Sequence, residues 1–237
     1  MNTTHAPQNK LRPSPSLPAP DMLPAKPVRS RVAVFGGSFN PVHNGHLSLA
    51  GHVLRLGLAD EVLFVPAGIP PHKPHAGLAP GADRLAMLEE AVRPFPQFSV
   101  SDIELQKNDQ PSYTITTLDM LRAAYPGREI VFLMGMDCLA ELHTWHRAQE
   151  LVAQFNFIVY PRPGVANPKT PELADCFGNR NANKLQASVL DAAMLPVSSS
   201  EVRAFIADGK TLAGLVPEAV IRYIELHTLY RNEPTKE

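Results

Sequence analysis

The chain has 237 residues, 44% of them hydrophobic and 19% charged, and a formal net charge of −1. This is globular composition with material for one sizeable core, and it excludes an overall electrostatic footprint for nucleic acid or an anionic membrane. The two cysteines, Cys138 and Cys176, are too few for a disulfide scaffold and lack metal-ligand spacing, no stretch approaches the roughly 18 apolar residues of a membrane span, and the start lacks the apolar core of a secretory signal. A cytoplasmic protein with no nucleic-acid or membrane partner is the expectation.

Residues 1–29 read as a disordered tail. Pro7, Pro13, Pro15, Pro18, Pro20, Pro24 and Pro27 are separated by polar residues with no periodic apolar face, so the segment buries too little surface to offset its ordering entropy. Lys10, Arg12, Lys26 and Arg29 against Asp21 raise a transit peptide as the alternative, which the proline density opposes. One catalytic domain is expected over 30–232.

Structure begins at Arg31-Val-Ala-Val-Phe35, a β-branched and aromatic run ended by Gly36-Gly37, which predicts a buried strand and a turn. Leu47, Leu49, Ala50, Val53, Leu54 and Leu58 follow at helical spacing, with Gly57 near the helix end. Glu61–Val65 reads as a second strand, and strand, helix and strand with short joints imply a right-handed βαβ unit and a parallel sheet. The alternation continues: helix over 82–92, extended chain over 98–105, helix over 113–124, a very apolar strand over 129–135, helix over 148–155 and strand over 157–160. Residues 165–187 show little periodicity and are expected to form a loop with short helical pieces. Helices over 198–207 and 217–226 close the chain, the second with proline at its start. The fold class is therefore α/β, a doubly wound parallel sheet of Rossmann-like type with C-terminal helices, and ligands belong at the carboxyl ends of its strands.

The segment Gly36-Gly37-Ser38-Phe39-Asn40-Pro41-Val42-His43-Asn44-Gly45-His46 carries the chemistry. Glycines at a strand end allow close ligand approach and unusual backbone angles. A helix starting near Asn44 turns its free N–H groups and positive dipole end to the same space, and His43 and His46, three apart, share a face. Several convergent donors suit a polyphosphate better than a carboxylate. A plain tight turn, a capping and packing role for the histidines, and a zinc site all compete, but no carboxylate or cysteine stands at zinc-ligand spacing. Neither the dinucleotide Gly-x-Gly-x-x-Gly spacing nor the Walker Gly-Lys-Ser/Thr ending is present. A second signal is Val197-Ser198-Ser199-Ser200-Glu201-Val202-Arg203, where Ser198 or Ser199 caps a helix and Arg203 offers a guanidinium fork to phosphate oxygens.

These two motifs resemble the Gly-x-Phe-x-Pro-x-His-x-Gly-His and Ile-Ser-Ser-Thr-x-x-Arg motifs of the nucleotidyltransferase superfamily that includes class I aminoacyl-tRNA synthetases. Pro70-Pro-His-Lys73, Pro111-Ser-Tyr-Thr114, Gly135-Met-Asp137, Thr144-Trp145, Pro163-Gly164 and Leu229-Tyr230-Arg231 extend the likeness, from Val32 to Arg231, to bacterial nicotinate-mononucleotide adenylyltransferases. The resemblance implies an enzyme that joins ATP and nicotinate mononucleotide into deamido-NAD and pyrophosphate, with Mg²⁺ bound through the ATP phosphates. It implies Gly36, Gly37, Ser38 and Phe39 in the ATP cleft, His43 and His46 on the phosphates, and Lys73 with His72 approaching from a loop. It further implies Asp137 on a ribose, Ser198, Ser199 and Arg203 on the pyrophosphate, and Asn40, Thr114, Trp145 and His146 around the mononucleotide. His43, His46, Lys73 and Arg203 are the catalytic set, and no protein-held metal is expected.

Trp145 is the only tryptophan and lies between Thr144 and His146, a polar setting in which an indole face could stack on a pyridinium; the competing reading is a tryptophan half-buried between helices. Position 40 is Asn where the family often has Asp, which puts a charge-dependent role there in doubt. Position 200 is Ser for the family's Thr, and only Arg162 precedes Pro163-Gly164 where the family often has two arginines. Sister enzymes acting on nicotinamide mononucleotide or phosphopantetheine, a cytidylyltransferase, and a nucleotide-binding sensor without catalysis are the alternatives. The sequence also allows a homo-oligomer.

Overall fold

The computed structural model describes residues 30–68, 77–106, 111–191 and 196–231. The tail over 1–29 and the residues His72 and Lys73 lie outside these. Five strands, β1 (Arg31–Gly37), β2 (Glu61–Pro66), β3 (Phe98–Val100), β4 (Glu129–Gly135) and β5 (Asn156–Tyr160), form one sheet in the order β3-β2-β1-β4-β5. Every pairing is parallel. The helices are α1 (Asn44–Arg55), α2 (Gly81–Val92), α3 (Thr114–Ala124), α4 (Met136–Glu141), α5 (Ala148–Gln154), α6 (Thr170–Ala187), α7 (Ser199–Ala207) and α8 (Glu218–Leu226), with a 3-10 turn at Leu142–Thr144.

Both sheet faces are covered, which is why the strands read as unbroken apolar runs rather than alternating ones. The twofold side-chain alternation still sorts the residues. Val32, Val34, Leu63, Val65, Ile130, Phe132 and Met134 face α3, α4, α5 and α6. Ala33, Phe35, Val62, Phe64, Val131 and Leu133 face α1, α2, α7 and α8. Burying such a Val, Leu or Phe side chain contributes about 1.5–3 kcal/mol, so each face alone outweighs any surface ion pair. At the base of the sheet Arg31 pairs with Glu129 at 2.9 Å and its backbone N–H donates to Asp60.

The chain winds outward from β1 to β3, crosses by α3, and resumes at β4 on the other side of β1. The switch point therefore lies between the carboxyl ends of β1 and β4, where a doubly wound sheet opens a ligand crevice.

Two expectations are corrected here. Residues 170–187 are not a loop: α6 is a helix in two arms, broken at Gly178 (φ 77°, ψ 157°). Leu173 and Phe177 are buried in the first arm and Ala182 and Leu185 in the second, and the kink shifts the phase between them, which erases a single periodic stripe. The extended run over 98–105 stops at Val100, and hydrogen-bonded turns follow, with the Leu105 N–H donating to the Asp102 carbonyl at 2.7 Å. The short helix α4 directly after β4 carries no period of its own in the sequence.

Candidate active site

The loop from β1 to α1 sits at the switch point. Gly36 and Gly37 belong to the strand, and the left-handed residue of the loop is Phe39 (φ 44°). The glycines therefore supply space rather than unusual angles: a Cβ on Gly36 would meet the Phe132 ring at 3.2 Å, and one on Gly37 the Phe39 ring at 3.2 Å. Phe39 is 1% exposed. Its ring packs on Phe35, Phe64 and His46, with centroids 5.4, 5.8 and 5.0 Å away, so it supports His46 from the core instead of lining the cleft.

His43 is the N-cap of α1, and its ring stacks on that of His46 with centroids 3.6 Å apart. The His43 backbone N–H donates to His46 Nδ1 at 3.2 Å. A neutral His46 therefore carries its proton on Nε2, because Nδ1 must be the acceptor. Burial lowers the pKa of His43 to about 4, with the Arg162 charge adding to it. Burial also holds His46 well below the usual imidazole range, helped by His43 and Arg162. The pair is neutral at neutral pH, with the His43 ring opposing the charging of His46, and an incoming polyanion would reverse that balance. His43 Nδ1 is buried with no partner among the described residues, and Gly45 leaves room beside it, because a Cβ there would lie 3.0 Å from that nitrogen.

The helix end offers less than the sequence implied. The Asn44 N–H donates to the Leu215 carbonyl at 2.8 Å and the His46 N–H to the His43 carbonyl at 2.9 Å, so two of the leading donors of α1 are used within the protein. The amino end of α7 adds its own groups. Ser198 is the N-cap and accepts the Glu201 N–H at 3.1 Å. The Ser199 hydroxyl donates to the Pro41 carbonyl at 2.9 Å, and Arg203 Nη1 donates to the Asn40 carbonyl at 2.8 Å. Arg203 Nη2 reaches Ser200 Oγ at 3.2 Å. A guanidinium has five N–H donors, so further donors of Arg203 remain for an anion beside the histidines, while Ser199 holds the loop.

Across the crevice Asp137 is the second residue of α4, and its Oδ2 accepts Arg162 Nη1 at 2.8 Å. Asp137 Oδ1 is buried without a partner among the described residues, and a Cβ on Gly135 would collide with it at 2.3 Å. One carboxylate oxygen is thus oriented by Arg162 and the other is left with an unused acceptor position. Arg162 also lies over the Tyr160 ring, 6.0 Å from its centroid.

On the other side, Thr114 is the first residue of α3 and Tyr113 its N-cap. The Tyr113 ring lies 4.2 Å from that of His146, which brings the 111–114 segment to the segment after the 3-10 turn. Trp145 is partly buried and meets the Phe132 ring edge-on, with centroids 6.1 Å apart. The Ser112 hydroxyl is buried without a partner among the described residues; a Cβ on Gly68, just past β2, would come within 2.9 Å of it. Asn40, expected among the mononucleotide contacts, is 5% exposed. Its amide is consumed by the protein: Nδ2 donates to the Gly77 carbonyl at 2.8 Å, and Oδ1 accepts the Ala79 N–H at 3.0 Å and the Tyr230 hydroxyl at 2.8 Å.

Residues 34–205 match the family model described as Cytidylyltransferase-like. A protein of Synechococcus sp. (strain JA-3-3Ab) named "Probable nicotinate-nucleotide adenylyltransferase" is 40% identical over 210 residues, covering 88% of this chain and 99% of the relative. The chain belongs to the nicotinate-nucleotide adenylyltransferase family. A Dehalococcoides mccartyi (strain ATCC BAA-2266 / KCTC 15142 / 195) relative of the same name is 38% identical, covering 87% of this chain and 100% of its own length. The fold is also that of the Plasmodium falciparum nicotinic acid mononucleotide adenylyltransferase solved with NaAD, at TM-score 0.68 and 19% identity, covering 85% of this chain and 97% of that one.

Within this member of the family, the structure brings together Gly36, Gly37, Ser38, His43 and His46 through one continuous loop, and ties Ser199 and Arg203 to that loop across more than 150 residues of sequence. It sets Asp137 at the end of the neighbouring strand and Thr114, Trp145 and His146 on a separate rim. Sequence reasoning assigned no role to Arg162, Tyr113, Arg84 or Tyr230. Arg162 carried a weak signal, a lone arginine before Pro163-Gly164. Arg84 carried none: it sits in an ordinary helical stretch, yet it is 2% exposed and its guanidinium donates to the carbonyls of Ala79, Ser38 and Ala67.

Proposed function

We propose that this chain is a nicotinate-nucleotide adenylyltransferase that joins ATP and nicotinate mononucleotide into deamido-NAD and pyrophosphate in NAD biosynthesis. The observation that carries the reading is the stacked, neutral His43–His46 pair at the β1–β4 switch point, with Arg203 bound to the same loop. The attacking group is a phosphate monoester whose second pKa is about 6, already largely dianionic at neutral pH, so no general base is needed. What the site must do is hold two anions in line and neutralise the charge that grows on the α-phosphate and the leaving pyrophosphate.

His46 Nε2–H is the fixed donor for this, since the His43 N–H occupies its other nitrogen. Arg203 receives the pyrophosphate end, and Asp137 Oδ1 offers its unused lone pairs to a ribose hydroxyl. Trp145, Thr114 and His146, with Tyr113 behind His146, form the rim for the nicotinate. Lys73 and His72 are proposed to reach the phosphates from their loop. The proposal takes ATP as its Mg²⁺ complex, and the ion would spread the charge of the phosphates.

Among the described residues no helix is long and apolar enough to cross a membrane. The testing experiment is pyrophosphate release from purified protein with MgATP, comparing nicotinate with nicotinamide mononucleotide. Strong preference for the acid supports the reading. Preference for the amide moves it to the sister substrate, and ATP binding without release moves it to the sensor.

A further inference from the structure

The phosphate loop is tied not only to α7 but also to the carboxyl end of the chain. Tyr230 lies past α8, with φ 61°, and its hydroxyl donates to Asn40 Oδ1 at 2.8 Å. That oxygen also accepts the Ala79 N–H, and the amide nitrogen of the same side chain donates to the Gly77 carbonyl. The Asn40 backbone carbonyl in turn receives Arg203 Nη1. One buried residue therefore joins three separate stretches of chain to the loop that carries His43 and His46, two through its side chain and one through its carbonyl.

We propose that Tyr230 is a positioning residue of the transfer site, acting through Asn40 to hold the phosphate loop and Arg203 in register. The proposal rests on the reading of His43, His46 and Arg203 as the phosphate site. It also gives position 40 a defined chemistry in this chain. A neutral amide accepts from Tyr230 and Ala79 while donating to Gly77; a carboxylate could accept from the first two but would set an acceptor against the Gly77 carbonyl. The requirement at this position is for a connector with both donor and acceptor, not for a charge. Burial pushes the Tyr230 phenol well above its ordinary value, so it stays protonated and able to donate across the working pH range. The arrangement converts a distant chain end into a determinant of loop geometry, where small displacements cost rate steeply.

Tyr223 supplies a matched control. Its hydroxyl donates to Asp83 Oδ1 at 2.9 Å, tying α8 to α2 without touching the loop. Tyr230→Phe, Asn40→Asp, their double variant and Tyr223→Phe are to be compared in three measurements: pyrophosphate-release kinetics, thermal melting, and amide hydrogen exchange of peptides covering 36–46. Tyr230→Phe is expected to lower kcat about tenfold, with a Tm loss no larger than that of Tyr223→Phe, which keeps its kcat. The 36–46 peptides exchange faster in Tyr230→Phe alone of the two tyrosine variants, and the double variant is no slower than its worse single parent, since both act through one connection. Full kcat in Tyr230→Phe, unchanged exchange over 36–46, or independent additive losses in the double variant would each overturn the proposal. If the unaltered protein releases no pyrophosphate with either mononucleotide, the functional reading fails, and the exchange data alone then decide the positioning role.

Discussion

The two rims of the crevice are built on opposite plans. On the phosphate side, the loop from Ser38 to Asn44 is bonded from every direction: Arg84 to the Ser38 carbonyl, Tyr230 to the Asn40 side chain, Arg203 to the Asn40 carbonyl, Ser199 to the Pro41 carbonyl and Leu215 to the Asn44 N–H. On the side proposed for the mononucleotide, His146 is exposed, Trp145 is half-buried, and the segments meet through ring contacts at Tyr113 and Phe132. The difference suits the proposed task. Charge development on phosphates rewards donors that are already in place, because reorganising them during reaction would cost the rate they provide. Recognition of an aromatic base rewards flat, accessible surface, which costs little to leave partly open.

The largest effect expected is on the phosphate rim. His46→Ala removes the fixed donor and should lower turnover by about 10²–10³-fold while the melting curve stays near that of the unaltered protein; near-normal turnover would remove His46 from the mechanism. Arg84→Met leaves three partly buried carbonyls short of a donor, which should lower unfolding free energy by about 3 kcal/mol, measured by urea titration. A loss confined to activity would show that Arg84 acts on the loop rather than on the fold.

The histidine pair also makes stability depend on pH. His43 titrates at about 4 in the folded protein against 6.5 in the unfolded chain, so the unfolded state binds the proton first. Its contribution is complete above about pH 6.5 and is lost as pH falls toward 4, amounting to about 2 kcal/mol at pH 5. Urea melts of the ligand-free protein at pH 7.5 and 5 should show this slope, and His43→Gln should flatten it. An unchanged slope would mean that another group governs acid stability.

The smallest effect belongs to the mononucleotide rim. Trp145→Ala should raise KM for the mononucleotide about tenfold, the scale of one lost stacking contact, with KM for ATP little changed. Equal changes in both would show that Trp145 supports the crevice through Phe132 rather than touching substrate.

Legibility in the sequence followed the same division. The phosphate rim is one contiguous loop, and its histidines, glycines and strand-to-helix setting stood together within Gly36–His46. Asn40 and Phe39 were visible there too, but their orientation was not: a motif lists side chains without saying which turn inward, and both proved to be internal supports. The alternating strands and helices likewise identified the parallel sheet, while α6 was missed because Gly178 splits its apolar stripe into two out-of-phase arms.

The sequence by itself determined the alternating strands and helices of the parallel sheet, the loop proposed to bind phosphates and, through the likeness of its two motifs, the class of chemistry, because these depend on local spacing and backbone preference. Only the tertiary structure decided that Arg162 bears on both histidines, that Arg84 is a buried bracket rather than a surface charge, and that Tyr230 closes on Asn40 across 190 positions of chain. The physical reason is that hydrogen bonds, burial and Coulomb interactions act over ångströms in space, and contacts between distant segments leave no periodicity or spacing along a single chain for the eye to find.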